Sequence, residues 1–423
     1  MTYPRLLFVT PAAFNRTTGG GITFGNLFAG WPKDRLATAH SDPVPVTSET
    51  CERYYRLGPA ELRQWGPLER IAPATSSAGA AASPGRSRPL LRAVRMALFG
   101  QQLPDTGTLS PALERWIGEF RPQLLYSILG SNGLMDLVLA VQRRFALPSV
   151  VHMMDDWPEA THRGGLLAPL ARRRMERLLA GTLERASLRL GICDAMCEAY
   201  AARYGVPFET FHNAVDVQRW GSIRRSTDEN AEQDVVYVGS IFPVAQLDSL
   251  IECCHAVAQL AREGVGVRLS IYSPSMYAER YRDRLVVSDN VTLSDTIADD
   301  EAFFRRISAA DVLLLPVNFD ARTVRYIRYS MPTKLPAYLF SGTPILAYGP
   351  EAVAQVRYVK EAGSGLVVSE RGVEQVTAGM RALLADKALR ERIGARARNA
   401  ALERHDLRVV RPRFQEALAK VAR

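Results

Sequence analysis

The chain has 423 residues, 47% hydrophobic and 23% charged, which is ordinary for a globular protein and too long for one core, so two domains of about 200 residues are expected. The 53 basic and 44 acidic side chains leave a net charge of +9, which suits an anionic ligand or an acidic membrane surface and equally a generic basic exterior. Five cysteines, Cys51, Cys193, Cys197, Cys253 and Cys254, form no C-x-x-C pair, arguing against a disulfide framework or zinc site, and no apolar run approaches the roughly 18 residues of a membrane span.

Arg5–Thr10 reads as the first parallel strand; its apolar part, Leu6–Val9, is too short for the core of a signal peptide. The loop P-A-A-F-N-R-T-T-G-G-G follows, then a helix predicted from Ile22 to Ala29. Gly19, Gly20 and Gly21 let a backbone approach a ligand, and the helix start behind them can face a phosphate. Many such loops are glycine-rich merely to turn. Leu36–His40 reads as a second strand, and Ala72–Pro89, rich in Ala, Ser, Pro and Gly, as a surface loop. Pro89–Gly100 has helical spacing, with Leu91, Val94 and Leu98 on one face and Arg88, Arg92 and Arg95 on another. Such a helix can rest on an anionic membrane or simply pack on its own domain.

Leu124–Leu129 is a predicted strand, followed by Gly130-Ser131-Asn132 and a helix buried through Leu134, Leu137, Val138, Val141 and Phe145. Strand Ser149–Met153 runs into H-M-M-D-D-W-P. His152, Asp155 and Asp156 at a strand's carboxyl end are candidates for sugar contact or proton transfer. The plain alternative is a solvated loop with Trp157 in the core. Helix Leu166–Arg185, strand Ser187–Cys193, a helix from Asp194 closed by Gly205, and Phe208–His212 complete the first half.

The second half opens with a polar stretch, Asp228–Asp234, and strand Val235–Gly239. Helix Ala245–Arg262 follows, then strands Val267–Tyr272, Val291–Leu293 and Asp311–Leu315. The stretch Tyr329–Pro350, Y-S-M-P-T-K-L-P-A-Y-L-F-S-G-T-P-I-L-A-Y-G-P, organises this half. Pro332 and Thr333 are helix start signals, Leu335, Leu339 and Phe340 form an apolar stripe, and Gly342 is a stop before strand Thr343–Ala347. Lys334 therefore stands at a helix start after a strand, a ready anion site. Strand Gly365–Val368 and helices Val373–Ala385, Lys387–Glu403 and Leu407–Ala422 finish the chain.

The string P-T-K-L-x-x-Y-L-x-S-G-T-P-I-L-A-x-G-P resembles the donor segment of the GT-B glycosyltransferases, and specifically the retaining family 4 (group 1). H-N-A-V-D, His212–Asp216, is similar to the family's interdomain crossover. The resemblance implies an α/β fold of two Rossmann-like doubly wound domains facing across a cleft. It divides the chain into an acceptor-binding domain, 1–212, a nucleotide-sugar donor domain, 213–404, and a helix, 405–423, crossing back. It implies glycosyl transfer from a nucleotide-sugar to a glycan, lipid-linked or other hydroxyl acceptor, in the cytoplasm or peripherally at the inner membrane face. It also implies a place in cell-surface polysaccharide synthesis.

Gly239, Ser240, Arg325, Arg328, Thr333, Lys334 and Leu335 join Gly19–Gly21 as the implied donor contacts, with His152, Asp155 and Asp156 at the chemistry. Four positions depart from the family. Tyr329 and Ala337 stand where it carries Glu, and Ser240 and Ala245 where it carries Arg and Lys. Arg322, Arg325, Arg328 and Lys334 are the nearest substitutes for the lost phosphate-binding charge. No metal, no other cofactor and no nucleic-acid partner is expected. A catalytically weak binding subunit and a sugar-nucleotide epimerase of the same architecture stay open.

Overall fold

A computed structural model describes residues 2–64, 89–100, 102–223 and 232–422. The predicted Ala72–Pro89 loop and most of the Asp228–Asp234 stretch lie outside them. The chain divides into two compact units, Met1–His212 with Arg411–Arg423, and Asn213–Val410.

The first unit is built on seven parallel strands: β1 Leu6–Thr10, β2 Leu36–His40, β3 Arg53–Arg56, β6 Leu124–Ile128, β7 Ser149–Met153, β8 Leu188–Gly191 and β9 Glu209–Thr210. Their order is β3-β2-β1-β6-β7-β8-β9, so the winding reverses between β1 and β6. A small antiparallel pair, β4 Leu62–Gln64 and β5 Asp105–Gly107, lies apart. The central strands are buried along their whole length, as helices on both faces require, which is why they read as continuous apolar runs. One face carries an aromatic core. The Phe8 ring meets those of Phe14, Phe24 and Tyr126 at 5.6, 5.4 and 5.0 Å.

Helix Leu407–Val421 completes that core. Phe414 is wholly buried, 5.1 Å from Phe28 and 5.9 Å from Tyr126. Gln415 Nε2 donates to the carbonyls of Leu27 and Ala29 at 3.1 and 3.0 Å, and Arg411 Nε to that of Asn26 at 2.7 Å. These bonds satisfy carbonyls that the helix Gly19–Phe28 leaves open at its end.

The second unit has six parallel strands: β10 Gln233–Val238, β11 Val267–Tyr272, β12 Val291–Ser294, β13 Val312–Pro316, β14 Ile345–Tyr348 and β15 Gly365–Val368. The order β12-β11-β10-β13-β14-β15 reverses between β10 and β13. Within this unit the segments where the chain enters and leaves are bonded side by side. Val215 N donates to His405 O at 2.8 Å, and Leu407 N to Val215 O at 3.0 Å.

Several element boundaries differ from expectation for local reasons. The three glycines are not a loop but the first turn of helix Gly19–Phe28. Asn15 Oδ1 accepts from the backbone of Thr17 and Thr18 at 2.9 and 2.7 Å, and Thr18 Oγ1 accepts from Gly21 N at 3.1 Å. These bonds satisfy donors around the helix start and begin it early. Gly21 is a packing requirement, since a Cβ there would lie 2.5 Å from the Asn15 side chain. The helix predicted from Thr333 begins at Leu335, with Lys334 at its N-cap, and ends at Gly342 in left-handed geometry (φ 72°).

Candidate functional site

Val238 ends β10 beside the reversal point of the second sheet, where open α/β sheets collect ligands at strand carboxyl ends. The short helix Leu335–Ser341 is tied to that end through two side chains. Val238 N donates to Tyr338 Oη at 2.9 Å, and Lys334 Nζ donates to Val238 O at 2.8 Å. The Lys334 ammonium also lies 3.8 Å from the centre of the Tyr237 ring and 5.5 Å from that of Tyr338. Burial alone pushes its pKa down to about 7, and no carboxylate acts to restore it. Gly239 makes the arrangement possible. Its φ of 139° is open to glycine, and a Cβ would lie 3.3 Å from the Lys334 ammonium.

The other predicted donor residues divide into scaffold and exposed groups. Thr333 O accepts from Asn213 Nδ2 at 2.8 Å, and Ser240 O accepts from Tyr237 Oη at 2.7 Å and from Gln246 Nε2. Leu335 is fully buried, so it anchors the turn by packing, and its side chain is not a ligand contact. Arg325 and Arg328 are exposed on helix Ala321–Ile327 and its C-cap, and the Arg328 guanidinium lies 5.6 Å from the Tyr329 ring centre. Ala337 is buried in the core, and Ala245 O accepts from Asn318 N at 2.8 Å. Neither position can stand in for a carboxylate or a cation.

Two of the three predicted catalytic residues are corrected. His152 is not at a rim: it is 0% exposed, with Nε2 3.0 Å from Phe211 O and Nδ1 2.6 Å from Tyr126 Oη. A carbonyl only accepts, so Nε2 carries the hydrogen and Nδ1 accepts from the tyrosine. Both ring nitrogens are therefore used, and burial holds the imidazole neutral, its pKa pushed down to about 3. The physical reason is position, since β7 is interior and covered on both faces. Asp156 is 1% exposed and accepts from Tyr200 Oη at 2.8 Å and from Arg203 at 3.1 and 3.3 Å. It pins helix Asp194–Tyr204 and has no free oxygen face for chemistry. Asp155 alone stays half-buried beyond the strand end. Gly19 and Gly20 are partly or largely open on the helix's first turn, while Gly21 is buried.

Sequence reasoning missed His40, His162 and Asn132, all buried in the first unit and all at or after strand ends. His162 has φ 52°, and its Nε2 lies 3.2 Å from Asn132 Nδ2, while Asn132 Oδ1 has no partner. A positive-φ, non-glycine residue beside a buried amide oxygen without a partner marks strain of the kind found at functional sites. Asn15 was legible in principle from its N-x-T-T spacing, which is an Asx turn feeding a helix cap.

No protein-family profile matches the chain, and no curated protein matches it. Solved structures do. Sucrose-phosphate synthase from Thermosynechococcus elongatus superposes with a TM-score of 0.66 at 16% identity, over 99% of each chain. WaaG, a glycosyltransferase involved in lipopolysaccharide biosynthesis, gives 0.60 at 14%, over 98% of this chain and 99% of its own. Anabaena HepE in complex with UDP-glucose gives 0.60 at 13%, over 98% and 99%. The chain thus has an α/β fold of two Rossmann-like domains, the fold of the GT-B glycosyltransferases.

Proposed function

We propose that the protein is a glycosyltransferase of the retaining family 4 type that takes a nucleotide-sugar donor on its second unit. The observation that carries this reading is Lys334. A partly buried ammonium held against an aromatic ring at a sheet reversal point, with a glycine cleared for it and no carboxylate to pair with, is costly unless an anion arrives. A nucleoside diphosphate supplies that anion, and HepE, of the same fold, was solved with UDP-glucose. In the transfer step the glycosidic bond to the diphosphate breaks while the acceptor hydroxyl attacks the anomeric carbon, and the hydroxyl proton passes to the leaving diphosphate. Negative charge then grows on the leaving diphosphate. Lys334 stabilises that charge, with the exposed Arg325 and Arg328, on the preceding helix Ala321–Ile327 and its C-cap, as further cations. In the first unit the carboxyl ends of β1, β6 and β7, with Asp155 beside them, are the proposed acceptor side. The acceptor proposed is a glycan, lipid-linked or other hydroxyl compound, in cell-surface polysaccharide synthesis in the cytoplasm.

A nucleotide-sugar panel followed by thermal shift tests the donor, because stabilisation follows RT ln(1 + [L]/Kd) and one compound will stand apart. No shift with any nucleotide-sugar would sink the reading. The buried Ala337 favours a second possibility, a GT-B binding subunit without turnover. Donor binding without hydrolysis or transfer would select it, and an epimerised donor in the absence of acceptor would select the epimerase reading.

A further inference from the structure

Among the described residues, 11 large apolar side chains are strongly exposed, and four of them gather on two abutting segments of the first unit. Val94 and Met96, 46% and 43% exposed, lie on helix Pro89–Phe99; Leu166, 79% exposed, leads into helix Ala168–Arg185, and Leu170, 62% exposed, lies in its first turn. The segments are locked together by backbone. Leu166 N donates to Ala97 O at 2.9 Å and Leu167 N to Leu98 O at 2.7 Å. A Cβ on Gly165 would lie 2.6 Å from Gly100 N, so the contact is chain against chain with no room to part. The helix turns Leu98 and Phe99 towards the protein and Val94 and Met96 outward, so its apolar face is shared between core and solvent.

Cations continue the patch. Arg173 and Arg177 follow Leu170 by three and seven residues, on the same helix face, and both are exposed. No carboxylate among the described residues forms an ion pair with either; Arg177 Nε donates to the Arg173 carbonyl instead. Arg163, beside Leu166, is exposed as well, though paired with Glu159 at 2.6 Å. An apolar ridge fixed by backbone and flanked by unpaired arginines has the chemistry of a shallow lipid contact. The apolar tips enter the acyl boundary, and the guanidinium groups stay at the headgroup level. Sequence pattern alone pointed to helix 89–100; Leu166 in the loop before Ala168 and Leu170 in the first turn of the helix after it are the two most exposed residues and were not foreseen.

We propose that this bipartite ridge, Val94, Met96, Leu166 and Leu170 with Arg173 and Arg177, docks the protein on an anionic lipid surface. The proposal stands apart from the donor chemistry, and its test needs no turnover. Full-length protein is floated with vesicles of phosphatidylcholine alone and of phosphatidylcholine with phosphatidylglycerol, at low and high salt. We expect binding to the anionic vesicles that weakens with salt, since charges at a surface are screened. The double variant Leu166→Ser/Leu170→Ser should lose that binding by about tenfold, as buried apolar area sets its strength. Arg173→Gln/Arg177→Gln should retain residual binding and lose the preference for anionic lipid. All four positions are exposed, so circular dichroism and Tm should stay those of wild type. Equal flotation of wild type and the leucine variant overturns the proposal. So does a wild-type dimer in sedimentation velocity that the leucine variant dissolves, because a second copy would then be what covers the ridge.

Discussion

Replacing Lys334 by methionine separates its cost in the free protein from its use in the bound one. The fall of its pKa from 10.5 to about 7 corresponds to about 4 kcal/mol of lost stability at pH 7. The Tyr237 ring contact returns about 2 kcal/mol, and the methionine variant leaves the Val238 carbonyl only the long bond from Tyr338 Oη at 3.5 Å, for about 1 kcal/mol. Lys334→Met should therefore raise the stability of the ligand-free protein by about 1 kcal/mol, read from urea unfolding near pH 7. The sign with pH follows from proton counting. The unfolded chain keeps the proton up to about 10.5 and the folded protein releases it near 7. Stability of the wild type should rise across that window, and the cost should be constant below it. The methionine variant should lack this rise. A bound diphosphate restores the charge, so wild-type binding near pH 8.5 should take up at least about half a proton, measured by calorimetry in buffers of different ionisation enthalpy. The variant should take up none and should bind nucleoside diphosphate more weakly by at least about 1.5 kcal/mol. A variant that is less stable than wild type, or that binds diphosphate equally well with the same proton uptake, would refute the assignment.

The other predictions address the first unit and the chemistry. Buried neutral His152, unable to take a proton until about pH 3, should cost about 1.4 kcal/mol of stability for each pH unit below its unfolded value of 6.5; His152→Gln should flatten that acid limb in a pH series of unfolding curves. Arg203→Ala leaves the Asp156 carboxylate buried against Tyr200 and should destabilise by about 3 kcal/mol, visible as a lower midpoint in urea. Asp155→Ala should lower kcat by about tenfold or more while nucleoside-diphosphate affinity stays near wild type; normal turnover would remove Asp155 from the acceptor side. Turnover should persist in excess EDTA, and its loss with recovery on adding magnesium or manganese would contradict a metal-independent transfer.

Parallel strands were legible because interior strands are apolar on both faces, as in V-L-L-L-P and L-L-F-V-T, and a helix start between two of them marked Lys334. What stayed hidden was direction. A histidine in a strand looks the same whether it faces a ligand or a carbonyl 59 residues away, as His152 does. Asp155 and Asp156 are neighbours with opposite fates, and the difference is Arg203, a partner 47 residues on that no local pattern announces. The glycines of 19–21 were assigned to a loop because their cap rests on Asn15, a side chain outside the run.

Phe414 and Gln415 give the first unit a peculiar history during synthesis. Residues 1–212 emerge from the ribosome before residues 411–423, so the aromatic face around Phe28 and Tyr126 stays uncovered until those follow, after all of the second unit. The nascent first unit must therefore wait with its core open, a state in which exposed apolar surface invites chaperones or misassembly. Tyr3 Oη donates to Gln415 Oε1 at 3.0 Å, so residues 3 and 415 lie together. A rearranged gene that encodes 405–423 ahead of residue 2 would let the same fold close as it is made.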